Sequence, residues 1–167
     1  MGIALLFISV LLVTYCMIFM PHSVTKYVWV GASVLLLALD ATALILNDTN
    51  HFGMKKVVQT QTRTLVSSTK SAKRPQLLYR KLGNGQEKIY YYRVNKAAKV
   101  QATDPMITTV TVKRAAVSRL QITKKYWDYS SPWAKVFFAG GQPNHQFIDQ
   151  HFAFEIGQEW QLKNRAE

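Results

Sequence analysis

Apolar positions follow two different rhythms along this chain. Residues 3–20, IALLFISVLLVTYCMIFM, run without a charged side chain, and residues 27–46, YVWVGASVLLLALDATALIL, carry only Asp40. At 1.5 Å per helical residue these runs reach about 27 and 30 Å, which matches the hydrocarbon core of a bilayer. They predict two transmembrane helices joined by the six residues PHSVTK. So short a link forces an antiparallel hairpin, with both flanking ends on one side of the membrane. A cleaved signal peptide would need a basic leader, a shorter apolar core and a small-residue cleavage site. The first run ends in Cys16-Met17-Ile18-Phe19-Met20-Pro21 and offers none of these.

From residue 55 the rhythm becomes that of strands. KKVVQTQTRTLVSST alternates Thr60, Thr62 and Thr64 with Gln59, Gln61 and Arg63, as a strand with one wet face would. SSTKSAKRP, residues 67–75, reads as a polar link. QLLYRKL, GNG and QEKIYYYRVN read as a hairpin, because Asn84-Gly85 tolerates the positive φ of a tight turn. MITTVTVKRAAV, SRLQITKKYWDY and HQFIDQHFAFEIG follow, with no sustained helical period. The expected architecture is a membrane α-helical hairpin followed by a small all-β domain, an antiparallel sandwich or open barrel of six to eight strands. The organisation divides into residues 1–50 for the hairpin, 51–66 for a juxtamembrane segment and first strand, and 67–167 for the rest of the β-rich domain. Tyr90, Tyr92, Trp127, Trp133, Phe137, Phe138, Phe152, Phe154 and Trp160 are the expected aromatic core. The single cysteine, Cys16, lies in the first apolar run, so the β-rich part contains no disulfide.

Asp40 is the outlier of the second run. A charged aspartate at the centre of a membrane helix costs about 2.5–3.5 kcal/mol, so the carboxyl is either neutral or partnered. Steps of seven put Ser33, Asp40 and Asn47 on one helix face. In an antiparallel hairpin Ser9 then stands near the depth of Asp40, and Thr14 near Ser33. Asp40 has two candidate partners: Ser9 within the hairpin, or a helix of another membrane protein. Gly31, Ser33, Asp40 and Ala43 are therefore candidate helix-docking residues, with a multispanning protein or a second copy of the chain as partner.

Charge changes the picture of the β-rich part. Residues 55–125 hold 17 Lys+Arg against 2 Asp+Glu, while residues 126–167 hold 3 against 5. Such a field draws anionic lipid or anionic wall polymer, and Lys55, Lys56, Arg63, Lys70, Lys73 and Arg74 are candidates for that surface. A merely solvated, soluble surface is the competing interpretation. Nucleic acid ranks low as a partner, since the bases are scattered singly and no nucleic-acid-binding motif is present. The positive-inside signals conflict: Lys26 in the hairpin opposes Lys55 and Lys56 beyond the second helix. The Thr-, Ser-, Gln- and Tyr-rich composition favours an extracytoplasmic β domain.

Catalytic chemistry finds little support. No phosphate-binding Gly-rich loop, nucleophile elbow or acid pair is present, and no cofactor is called for. His145, Asp149 and His151 share a strand parity and form a weak metal candidate, but neighbours on one strand face stand about 7 Å apart, too far to share an ion without a bend. The expectation is a non-enzyme.

NDTNHFGMKK, residues 47–56, followed by the TQTRTLVSS strand and the YRKLGNGQEKIYYYR hairpin, resembles an uncharacterised family of small two-helix membrane proteins of Gram-positive bacteria. The resemblance extends over the whole chain and brings no catalytic residues with it. It implies an accessory subunit of a larger membrane protein, such as a multidrug efflux transporter of the major facilitator class.

Overall fold

The computed structural model describes residues 1–69, 73–83 and 87–165. They divide into two compact units: Met1–Val57 with Tyr126–Gln146, and Val58–Lys125 with Phe147–Glu167.

The first unit contains the two long helices, α1 (Gly2–Phe19) and α2 (Val24–Asn50). The second helix is longer than its apolar run at both ends. Ser23 caps it by accepting the Lys26 backbone N–H, which places the start at Val24. Past Leu46 the polar residues stay helical until His51, whose left-handed φ of 55° ends the helix. The N–H groups of His51 and Phe52 return to the carbonyls of Asn47 and Leu46, closing the last turn in a Schellman-like cap. At the connecting end Lys26 Nζ donates to the Met17 carbonyl at 2.8 Å, satisfying an orphan acceptor of α1. Hydroxyls inside the helices are satisfied locally: Ser9, Thr14, Ser33, Thr42 and Thr49 each donate to the carbonyl four residues earlier. Both helices are long and apolar enough to cross a membrane.

The same unit contains a helix with no sustained period in the sequence, α3 (Pro132–Phe137). Ser131 accepts the Ala134 N–H at 3.1 Å, and Pro132 occupies the first helical position, where its missing N–H costs nothing. Phe138 follows and is buried. It meets Tyr129, stacked at 6.2 Å, and Phe52, edge-on at 6.3 Å.

The strands are β1 (Met54–Thr64), β2 (Gln76–Leu82), β3 (Glu87–Tyr92), β4 (Gln101–Ala102), β5 (Thr108–Arg114), β6 (Arg119–Tyr129), β7 (Gln146–Ile156) and β8 (Gln161–Asn164). They form two open four-stranded sheets, ordered β1-β6-β7-β5 and β4-β3-β2-β8. The expected β2–β3 hairpin is present, with Leu82 opposite Glu87. Its Asn84-Gly85 turn lies outside the described residues. The sheets are mixed, where an antiparallel arrangement was expected. β5 runs parallel to β7, with Val110 opposite Phe152, and β2 runs parallel to β8, with Leu77 opposite Leu162. Parallel neighbours need long connections, and both pairs join segments far apart in the chain.

In the second unit, the core comprises Leu65, Leu77, Tyr92, Leu120, Phe152, Phe154, Ile156 and Trp160. Phe152, Phe154 and Ile156 alternate along β7 and so point to one face. Tyr92 lies 5.5 Å from Phe152 and 5.7 Å from Phe154, ring centre to ring centre. β1, an edge strand, is almost wholly exposed from Val58 onward, so both of its faces are wet. Part of the positive charge is internal. Arg93 is buried and donates to the Ser67 carbonyl at 2.9 and 2.6 Å, whereas Arg114, exposed at the end of β5, donates to the carbonyls of Gly157 and Trp160.

Gly53 has a φ of 81°, and a Cβ there would stand 2.8 Å from the Phe138 ring. Gly31 has open space around it. Gly53→Ala is expected to destabilise the fold by about 1–3 kcal/mol and lower the Tm of detergent-solubilised protein by several degrees. Gly31→Ala is expected to leave it unchanged. Equal Tm values for the two variants would contradict this packing.

Candidate functional site

Two features carry polar chemistry in unexpected places. The first is the hairpin seam. The buried residues of α1 are Gly2, Ser9 and Cys16, and those of α2 are Ser33, Asp40 and Asn47. Both sets repeat every seven residues, so in an antiparallel pair Gly2 falls level with Asn47, Ser9 with Asp40, and Cys16 with Ser33. All six are small or polar. The exposed positions are mostly large and apolar, among them Phe7, Leu11, Val28, Leu35, Leu39 and Ile45, while Leu5, Leu12, Leu37 and Leu44 are half-buried.

Asp40 is 4% exposed, and neither carboxylate oxygen has a hydrogen-bond partner among the described residues. The expected bond to Ser9 is not formed, because Ser9 Oγ donates to the Leu5 carbonyl at 2.8 Å. Thr14 does not stand against Ser33. It is exposed and bonds to Val10. Five residues from Ser9, it lies about 140° around the helix, away from the seam. Of the docking candidates, Ser33 and Asp40 lie in the seam, Ala43 is half-buried, and Gly31 is on the outer face.

At the end of the seam Asn47 is fully buried, and its side-chain amide donates to the Phe52 carbonyl at 2.8 Å. It also hydrogen-bonds the Tyr129 hydroxyl, which donates to the Gln142 carbonyl at 2.6 Å. Burial pushes the Tyr129 hydroxyl pKa up, and the Asn47 bond opposes that. His51 stacks on Trp127 at 4.5 Å, with Lys56 Nζ 5.1 Å from the same ring centre. Thus His51, Phe52 and Gly53 all make defined packing contacts.

The second feature is a cleft of about 340 Å³ in the β-rich unit. Tyr92, Phe152, Val94 and Ile122 supply its apolar lining, and Arg63 and Lys124 supply its positive charge. Gln61, Gln101, Thr103 and Gln150 add hydrogen-bonding groups, and Asp104 is the one acid among its described lining residues. Arg63 donates to Gln61 Oε1 at 3.4 Å. Burial raises the Tyr92 hydroxyl pKa, while the nearby Arg63 charge pulls it back. β1, β3, β4, β6 and β7 contribute to this lining at separations no local pattern reveals. Only Arg63 among its residues was a sequence candidate.

The other basic candidates disperse. Lys55 and Arg74 are exposed, Lys73 lines a separate shallow pocket with Arg93 and Lys96, and Lys70 lies outside the described residues. The weak metal candidates each have other neighbours. His145 precedes β7 with a φ of 62°, lies 3.0 Å from Asp128 and stacks on Tyr126. Asp149 pairs with Lys125 at 3.1 Å, and His151 stands opposite Thr109. Among the described residues, no group of three such side chains is placed to hold a metal ion.

No curated protein matches this chain, and no solved structure does. A family profile does, over residues 22–163, and its description is a domain of unknown function, DUF4811. That match takes in α2 and nearly all of the β-rich part, so the chain belongs to the DUF4811 family, which is uncharacterised.

Proposed function

We propose that the chain is a non-enzymatic membrane accessory protein. Its hairpin crosses the bilayer, packs beside a larger multispanning membrane protein, and holds the β-rich part on the extracytoplasmic side. The carrying observation is the inside-out distribution of the hairpin: small and polar residues line the seam, and large apolar residues cover the outside. A soluble protein rarely leaves so much contiguous apolar surface in water. With Ser33 and Asp40 occupied in the seam, docking falls to the outer face of α2, where open space at Gly31 allows another helix to approach closely. An efflux transporter is the kind of partner that the resemblance of the NDTNHFGMKK segment and its following strands implies.

A second reading rests on the cleft. Arg63 and Lys124 beside Tyr92 and Phe152 suit an anionic group carried on a less polar body. In that case the protein is free-standing, and anionic lipid or wall polymer is its ligand.

Purification of tagged protein from its native membrane in mild detergent, followed by mass spectrometry, separates the two. The proposal expects a stoichiometric multispanning protein whose recovery falls several-fold in Gly31→Leu and is unchanged in Arg63→Gln/Lys124→Gln. A protein recovered alone from membranes of the wild type would overturn it and move the weight to the cleft.

A further inference from the structure

We infer that α3 is a membrane-contacting element, lying in the headgroup layer with Trp133 and Val136 turned into lipid. This rests on the reading that α1 and α2 cross the bilayer. The inference begins with depth. α3 and the loop after it are packed on the open end of the hairpin. Met1 N donates to the carbonyls of Val136 and Phe137 at 2.8 and 3.2 Å. A Cβ on Gly2 would stand 3.0 Å from the Phe137 carbonyl oxygen and 3.1 Å from its ring. One on Gly140 would stand 2.5 Å from Ile3 Cδ1. On the α2 side, Gln142 Nε2 donates to Asp48 Oδ1 at 2.7 Å, and a Cβ on Gly141 would stand 3.0 Å from Asn47 Oδ1. These contacts fix α3 at the first turn of α1 and the last turns of α2. An 18-residue helix such as α1 measures about 27 Å, nearly the full hydrocarbon thickness, so its first turn lies at the bilayer boundary.

The side chains of α3 fit that depth. Phe137 faces Gly2 and packs edge-on against Phe138 at 4.8 Å. Trp133 is 82% exposed and Val136 is 45% exposed, and the exposed apolar residues Met1 and Ile3 at the first turn of α1 meet α3 and the loop after it. Trp133 was expected in the core, yet its ring meets solvent in the isolated chain. Exposed tryptophan is costly in water and favoured at the headgroup level. Lys135, between the two, is long enough to reach lipid phosphate from the same helix. The patch continues the apolar outer face of α1, and the occupant that covers such a face at this depth is the bilayer.

The test uses the full chain with Cys16→Ala, carrying single spin-labelled cysteines in phosphatidylcholine–phosphatidylglycerol vesicles. Leu35→Cys reports on the hairpin, and Val136→Cys and Trp133→Cys report on α3. Collision with oxygen, which concentrates in lipid, is compared with collision with a water-soluble nickel chelate. The inference expects oxygen to be favoured several-fold over the buffer value at all three sites, most strongly at 35. Buffer-like ratios at 133 and 136 with a lipid ratio at 35 would overturn the inference and leave the hairpin reading standing. Shielding of 133 and 136 from both reagents would overturn it in favour of a protein contact. A buffer-like ratio at 35 would remove the membrane reading and the inference with it.

Discussion

A polar side chain that cannot meet water must meet protein, and in this chain that constraint organises the hairpin. Ser9, Ser33, Asp40 and Asn47 would each be costly against hydrocarbon. Seven-residue spacing turns all four to one seam together with Gly2 and Cys16, the small residues that let two helices approach. The hydroxyls are satisfied by their own helix backbones. Asp40 is buried and, among the described residues, neither of its oxygens has a hydrogen-bond partner, so the seam supplies shelter rather than a bond. In a bilayer, a carboxyl sheltered this way would avoid the lipid as long as the two helices stay together.

The open end of the hairpin depends on the same arrangement. Asn47, the last seam residue of α2, ties the helix to Phe52 and Tyr129. Tyr129 in turn stacks on Phe138, which fills the space that Gly53 leaves by lacking a side chain. α3 is positioned by this cluster and by the first turn of α1. The polar seam and the interfacial segment are therefore parts of one unit, linked through Asn47 and Tyr129.

Much of this was legible in the chain and some was not, for physical reasons. The two helices follow from composition, since an uncharged run of bilayer length has few other uses. The face carrying Ser33, Asp40 and Asn47 follows from helical period. Thr14 was matched to Ser33 by depth alone, while rotation about α1 decides which side chain enters a seam, and Thr14 is exposed. The β2–β3 hairpin was legible because its pairing is local. The parallel pairs β5–β7 and β2–β8 were not, because strand pairing at long sequence separation leaves no periodic signal. α3 left one trace, Ser131-Pro132, a cap followed by a residue suited to the first helical turn. Trp133 entered the expected core only because of the apolar area an aromatic ring must bury. The cleft was invisible except for Arg63, because its lining is assembled from five strands.

The seam is tested most directly by the native cysteine. Cys16 and Ser33 are buried on α1 and α2, the shared seven-residue repeat pairs them across the antiparallel seam, and a disulfide requires Cα atoms within about 7 Å. Oxidation of Ser33→Cys in native membranes should therefore trap an intramolecular disulfide between positions 16 and 33. Leu35→Cys, on the outer face, should form none under the same conditions. Efficient cross-linking of 16 to 35 with none to 33 would contradict the seam, and with it the placement of Asp40 and of everything packed on the hairpin's open end.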